Sequence, residues 1–374
     1  MTILKIVKGS DDGGVFVCEI QQTLEMQRQG IKVYAVIVGE GKSAEKYKEL
    51  FDKYFCIPSF SYNYSGSLFN RVRNILRSYR FGKEHSITIL KAFENDHYDS
   101  IIVNRIVLLF LAGYLRRKKR RPAFWYVHGT LNSGFSKVFS NLILRLYKIE
   151  PIANSNYTKE TIGAICNNVV YPGFDPTRVL YGKNTYREKL NIKPDVSVYG
   201  MAARITPEKA QDIVVKAFMQ SNAIKSGAHL FLAGDYDNID FFNKIKIVAG
   251  EYFGKQIHYL GWINDLNNFY ESVDVCISAM TKVEAFGISI AESIGAGIPV
   301  IVPNIGGPTE MITQNITGWL VDKPNVSYYK EAIDLSFGMR DNWEEMSAHC
   351  RLASKIFFVN KNVSKFISII NSKL

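Results

Sequence analysis

The feature that most constrains this chain is an alternation. Short apolar runs of strand length recur between stretches with helical spacing, and they do so twice along the sequence. In the first half, residues 3–7 read as a strand, a polar glycine-rich turn follows, and residues 16–28 carry apolar side chains at Phe16, Ile20, Leu24 and Met26. Gly30 ends that helix and residues 31–38 form the next strand. A strand–helix–strand opening of this kind builds a parallel sheet. Further strands are expected at 99–103, 123–127, 151–154 and 169–171, with an apolar helix at 106–115. Gly173-Phe174-Asp175-Pro176 then breaks the pattern.

The second half repeats the alternation more cleanly. Strands are expected at 197–203, 229–233, 257–260, 275–279, 299–302 and 318–321, with helices at 210–219 and 288–295. Residues 343–370 read as one helical stretch. A chain of 374 residues is too long for one ordinary domain and suits two. The expected organisation is therefore α/β: two Rossmann-like domains, at 1–178 and 179–350, and a C-terminal helix at 351–374 that packs back toward the first. Ligands of such folds sit at the C-terminal ends of the strands, beside helix N-termini.

Composition narrows the setting. The most apolar stretch, 106–115, is half the ~20 residues that span a bilayer, and the lysine-broken N-terminus does not read as a signal peptide. Five widely spaced cysteines show no disulfide framework and no metal spacing, which fits a reducing compartment and five small buried hydrophobes. The expectation is a cytoplasmic protein, peripheral at most on the inner face of a membrane. The net charge of +11 is one-sided: residues 1–180 hold 26 Lys and Arg against 15 Asp and Glu, and the remainder is balanced. A basic domain implies a polyanionic partner, such as an anionic membrane surface. Tyr54, Phe55, Phe60, Tyr62, Tyr64 and Phe69 precede Arg71, Arg73, Arg77 and Arg80, an arrangement that suits an interface or, equally, a core edge beside a solvated helix. No nucleic-acid-binding motif is present and the second half is neutral, so nucleic acid is not expected as a partner.

Four places carry candidate chemistry. Glu284-Ala285-Phe286-Gly287-Ile288-Ser289-Ile290-Ala291-Glu292 follows a strand and opens a helix. Its carboxylates can each accept two hydrogen bonds from a diol, and Gly287 lets backbone N–H groups approach a ligand. Arg204 and Lys209 follow another strand, where a fork and a point charge can clamp a diphosphate. Gly13-Gly14 opens the first helix, and His128 ends the strand 123–127. Each also has a plain structural reading: solvated loop charges, a flexible turn and a core histidine. Asp235-Tyr236-Asp237 resembles a metal-binding DxD but lacks supporting ligands, and no metal site is expected.

Taken together, these residues resemble glycosyltransferase family 4, the retaining GT-B enzymes, over almost the whole chain. Glu284 to Glu292 matches the family's E-x7-E motif, continuing through Gly295-Ala296-Gly297-Ile298-Pro299-Val300 to Gly306-Gly307-Pro308-Thr309-Glu310. Arg204 and Lys209 match its Arg-x4-Lys clamp, although Ala210 stands where glycine is commoner. Tyr259-Leu260-Gly261-Trp262 resembles the segment that covers the nucleotide base, and residues 154–160 and 170–173 also fit.

The resemblance implies two domains facing across a cleft and a nucleotide-diphosphate sugar as donor substrate, with no cofactor. Arg204 and Lys209 would neutralise the diphosphate, helped by the Gly14 amide. Glu292 would bind ribose, and Gly261 and Trp262 would border the base. Glu284, with the backbone at Phe286, Gly287 and Ile288, would hold the transferred sugar, and His128 would contact it near the reacting carbon. The acceptor would be a glycan or lipid-linked glycan of surface polysaccharide or lipopolysaccharide synthesis. A non-catalytic, nucleotide-sugar-binding relative is the alternative, and the intact Glu284, Glu292, Arg204 and Lys209 argue against it.

Overall fold

A computed structural model describes residues 1–11, 13–60, 67–131, 134–179 and 186–374. Tyr62 and Tyr64 lie outside the described residues. The chain divides into two compact units, Met1–Gly173 with Val359–Leu374, and Phe174–Phe358.

The first unit is built on a seven-stranded sheet of order β3-β2-β1-β4-β5-β6-β7. Its strands are β1 (Thr2–Lys8), β2 (Lys32–Val38), β3 (Lys53–Ile57), β4 (Ser100–Val103), β5 (Ala123–Val127), β6 (Ile149–Ala153) and β7 (Asn168–Val169). Every pairing is parallel. Alternation along β1 sorts the core into two layers: Leu4 and Ile6 join one, Ile3 and Val7 the other. The chain runs outward through β2 and β3, then returns through the long helix Leu68–Ala92 to β4 on the far side of β1. The sheet therefore reverses between β1 and β4, the place where ligands of open α/β sheets gather.

The helix Gly13–Arg28 departs from its expected amphipathic pattern. Leu24 is exposed, while Glu19, Gln22 and Thr23 are buried with Cys18 and Met26. The cause lies on β1, where Lys5 interrupts the apolar layer. Its side chain is 1% exposed, and its ammonium is ion-paired with Glu19 and 3.1 Å from Thr23 Oγ1. A buried cation requires such partners, so the facing helix presents them.

β3 was not expected from the sequence. It is an edge strand in which the adjacent Lys53 and Tyr54, and Cys56, are all exposed, so period-two alternation is weak. Cys56 sits on it and is exposed, unlike the other four cysteines, which are buried. Among the aromatics before Arg71, Phe60 is buried and stacks on Phe81, whereas Tyr54 and Phe69 are exposed.

The second unit has a six-stranded parallel sheet of order β10-β9-β8-β11-β12-β13. Its strands are β8 (Val198–Ala202), β9 (His229–Ala233), β10 (Ile257–Gly261), β11 (Val275–Ile277), β12 (Val300–Pro303) and β13 (Gly318–Val321). This sheet reverses between β8 and β11.

The unit boundaries differ from 178 and 350. Phe174 is already buried in the second unit: its amide donates to the Phe357 carbonyl at 2.9 Å and its ring packs where any Gly295 side chain would stand. The stretch 343–370 is also not one helix. Trp343–Ser354 is followed by a single tight turn, an extended Phe358, and a separate helix Val359–Asn371. That last helix belongs to the first unit, where Val359, Val363, Phe366 and Ile370 are buried at helical spacing. Burying such side chains contributes about 1.5–3 kcal/mol each. Among the described residues no helix is long and apolar enough to cross a membrane.

Candidate functional site

In the second unit, the predicted residues converge on the C-terminal ends of β8 and β11, where the sheet reverses. The loop after β8 runs from Arg204 to Lys209 and is clamped by a buried side chain. Gln211 Nε2 donates to the Arg204 carbonyl at 3.0 Å, and its Oε1 accepts from the Thr206 amide at 3.3 Å. Ala210, at the glycine-favoured position, adopts φ 53° and ψ 38°, the left-handed region. A non-glycine residue there carries about 1–2 kcal/mol of strain. The loop keeps its shape despite that strain because Gln211 and the Ala210 methyl are both fully buried.

The loop after β11 is laced to this one. The Thr281 amide donates to the Glu208 carbonyl at 3.0 Å, and Lys282 forms an ion pair with Glu208. Glu284 thereby comes within 3.4 Å of the Lys209 ammonium, each side chain about a quarter exposed. Behind it, Gly306 and Gly307 lie against the loop's backbone. The Gly307 amide donates to the Glu284 carbonyl at 3.0 Å, and a Cβ on Gly307 would sit 2.2 Å from the Ala285 carbonyl oxygen. The glycine pair of the motif is thus a backing plate for Glu284.

Gly287 starts the helix Ile288–Ala296 at φ 97°, a conformation open to glycine, and a Cβ there would meet Ile290 Cδ1 at 2.8 Å. The first amides of that helix have no intrahelical acceptor and face the same end of the sheet. Phe286 is buried against Phe357, so this position contributes backbone. Arg204 is half exposed and pairs with Asp237 at 3.4 Å, which places one carboxylate of the DxD-like triplet on the clamp. Gly261 ends β10 at φ 71°, and Trp262 is 72% exposed with its indole N–H on Asn264.

Glu292 is not a helix-surface carboxylate. It is 3% exposed and accepts from Arg178 Nε at 3.2 Å. Burial raises its pKa above the ordinary carboxylate value, against the opposing pull of Arg178 and a hydrogen bond from Tyr270. Sequence reasoning missed Arg178 and Tyr270. Arg178 lies in a one-turn segment after Pro176 and Tyr270 at the end of a five-residue helix, where no spacing marks either as a partner of Glu292.

Gly14 and His128 belong to the first unit. Gly14 lies in the first turn of the helix Gly13–Arg28. His128 is partly exposed, but its imidazole is enclosed, packed edge-on against Tyr126, and Nε2 finds no partner among the described residues. Burial, with the nearby charges of Arg105 and Lys5, pushes its pKa down to about 3, so it is neutral at physiological pH. Sequence reasoning also missed Asp11 and Arg105, which meet where this sheet reverses. Asp11 is 1% exposed and accepts from Arg105 Nε at 2.8 Å.

Residues 182–353 match the family model described as glycosyl transferases group 1. This segment belongs to that family. The group 1 domain thus contains Arg204, Lys209, Glu284 and Glu292, and the chain as a whole has the α/β GT-B fold of two Rossmann-like units. The O-antigen biosynthesis glycosyltransferase WclY of Escherichia coli is 25% identical over 203 residues, 52% of this chain and 56% of that protein. The lipopolysaccharide 1,2-N-acetylglucosaminetransferase of Salmonella typhimurium is 28% identical over 176 residues, 45% of this chain and 46% of that one. The chain spans about half the length of the curated relatives it matches. Anabaena HepE, solved in complex with UDP, superposes with a TM-score of 0.81 at 18% identity over the full length of both chains. A glycosyltransferase from Rickettsia africae gives 0.79 at 21% identity, covering 99% of this chain and 98% of that one.

Proposed function

We propose that this chain is a retaining glycosyltransferase of family 4 type. In this reading it moves a hexose-type sugar from a nucleotide-diphosphate sugar to a glycan or lipid-linked glycan acceptor, in surface polysaccharide or lipopolysaccharide synthesis. The observation that carries the reading is the 3.4 Å approach of Lys209 to Glu284 where the second sheet reverses, beside the start of the helix Ile288–Ala296 and on the loop that bears Arg204.

In this reading the bond between the anomeric carbon and the diphosphate oxygen breaks. Negative charge then builds on the diphosphate, where Lys209 and Arg204 stabilise it most when it is greatest. Glu284 accepts hydrogen bonds from hydroxyls of the transferred sugar, and Glu292 accepts from the ribose, oriented by Arg178. The acceptor hydroxyl oxygen bonds to the anomeric carbon on the face the diphosphate leaves, and its proton passes to a departing phosphate oxygen. The protein's own cations supply the positive charge, so the reading calls for neither metal nor cofactor.

The complexes of Anabaena HepE with UDP and UDP-glucose make a uridine diphosphate donor the first to test. The names of the curated relatives support a lipopolysaccharide or O-antigen setting. A peripheral membrane position is supported by the helix Leu68–Ala92, which exposes Phe69, Val72 and Leu76 among Arg73, Arg77 and Arg80.

A thermal-shift panel with UDP, GDP, ADP and CMP, repeated on Arg204→Ala, tests the donor site. One diphosphate should raise the melting temperature of the unmodified protein, and Arg204→Ala should abolish the rise. No stabilisation by any of them would move the non-catalytic alternative ahead. NMR of the product's anomeric configuration tests retention, which an inverted product would exclude. Flotation with and without anionic lipid tests the membrane surface, and equal binding to both would count against it.

A further inference from the structure

Where the second sheet reverses, three cations each have a carboxylate. Arg204 Nη1 is 3.4 Å from Asp237 Oδ2, Lys209 is 3.4 Å from Glu284, and Lys282 is ion-paired with Glu208. These three pairs sum to no net charge. Glu284 has a task in the donor reading, because sugar hydroxyls donate to it. Lys282 and Glu208 cancel each other. Asp237 has no such task, yet it faces the cation that is to meet the diphosphate.

The loop that presents Asp237 is fixed on both sides. Gly234, at φ 137°, lies so close to the loop after β8 that a Cβ would stand 2.2 Å from the Ala203 carbonyl oxygen. The Gly234 amide donates to the Gly261 carbonyl at 2.8 Å, and the Asp235 carbonyl accepts from the Ile205 amide at 2.8 Å. The Tyr236 ring stacks on Phe242 with centroids 4.4 Å apart. Asn238 Oδ1 accepts from the Phe241 amide at 3.0 Å and caps the helix Ile239–Ala249. The side chains of Arg204 and Asp237 are 50% and 60% exposed, so solvent screens their pair and it opens at little cost. Opening does not remove the charge. The tethered backbone keeps the carboxylate beside the clamp when Arg204 turns to a ligand.

A donor and its spent product differ in charge. Each phosphate of a nucleotide-diphosphate sugar carries one negative charge. Once the bond to the anomeric carbon breaks, the terminal phosphate becomes a monoester. The proton it takes from the acceptor hydroxyl is lost to water with a pKa of about 6, leaving close to one further negative charge at pH 7. Cations alone would therefore hold the product more tightly than the donor. A fixed carboxylate acts the other way, repelling the product by one charge more.

Taking the donor reading as given, we infer that Asp237 sets the donor site's preference between its two nucleotides, weakening the hold on the spent nucleoside diphosphate relative to the intact nucleotide sugar and so speeding its release.

Isothermal titration on the full chain reads this with three pairs of probes: UDP and UDP-glucose, GDP and GDP-mannose, ADP and ADP-glucose. At least one pair should bind the unmodified protein. Both members of that pair should bind Asp237→Asn more tightly, and the diphosphate should gain about threefold more than the sugar conjugate, the order expected of one further charge across a half-exposed site. A mere brace for Arg204 would instead weaken both ligands when removed. Glu251→Gln is the control. It removes the same charge from the exposed Lys255 pair at the far end of the helix Ile239–Ala249, about 16 Å away, and should change neither affinity. Equal gains, no gain, or weaker binding in Asp237→Asn would overturn the inference, as would a matching change in Glu251→Gln. Asp237 is exposed and asparagine keeps its shape, so the variant should fold as its parent does. Failure of every pair to bind the unmodified protein would sink the donor reading itself, and this inference with it.

Discussion

At the C-terminal edge of the first sheet, the residues after β4, β5 and β6 include the buried Asn104 and Asn154 and the enclosed, uncharged imidazole of His128, beside an Arg105 already matched by Asp11. At the same edge of the second sheet stand Arg204, Lys209 and Glu284, partly hydrated and charged, with Arg204 half exposed. The two units share one architecture and differ in how much water reaches the strand ends. Where water is excluded, charges are cancelled in close pairs, Arg105 with Asp11 and Lys5 with Glu19. Where water enters, the pairs Arg204–Asp237 and Lys209–Glu284 are screened and can open to a charged ligand. A fold positions an edge, and the local dielectric decides what that edge can recognise.

The comparison breaks most visibly at the buried charges. Lys5→Met leaves Glu19 without its cation inside the first unit, and should cost about 3–5 kcal/mol in urea unfolding. The double change Lys5→Met with Glu19→Leu should recover most of the loss. A single-variant cost below about 1 kcal/mol would show that water reaches this layer.

Acid sharpens it next. With a folded pKa of about 3 against about 6.5 unfolded, the His128 contribution is intact above pH 6.5 and is lost as the pH falls toward 3. The sign follows because the unfolded chain takes up the proton first. Between pH 7 and pH 5 the unmodified protein should lose about 2 kcal/mol more stability than His128→Asn. Equal losses would place the imidazole in water.

Glu292 supplies the matching test in the second unit. Arg178→Ala should cost less than the Lys5 change, about 1–2 kcal/mol, because Arg178 is 39% exposed and part of its attraction is screened. Burial already raises the Glu292 pKa, so the cost should shrink as the pH falls and the carboxyl takes up a proton. A cost that does not change with pH would contradict this. The smallest effect is expected at Ala210→Gly, which removes left-handed strain against the entropy a glycine adds, for a gain of at most about 1 kcal/mol. Any loss of stability there would mean that the buried methyl matters more than the strain.

Much of this was legible in the residues. The strands 123–127, 229–233 and 318–321 fall at their predicted limits, because a fully buried parallel strand is a short apolar run and little else. Lys209 and Glu284 were each named from their position at a strand end, and they meet. Arg178 was not legible, since it reaches Glu292 across 114 residues of sequence from a one-turn segment. The polar face of the first helix was hidden for a related reason. Glu19 and Thr23 look like solvent-facing positions until Lys5 is placed beneath them. Periodicity reports which face is apolar, and a buried ion pair inverts it locally.

The helix Val359–Asn371 completes a core whose other members are encoded before residue 174. During synthesis the first unit therefore waits, with the layer around Ile3, Val33, Tyr126 and Ile152 unsealed, until the whole of the second unit has been made. The order of maturation is the reverse of the order of translation: the segment translated second has all its parts first. Until the closing helix arrives, the waiting face is the part of the nascent chain that chaperones would shield, and the part most open to aggregation.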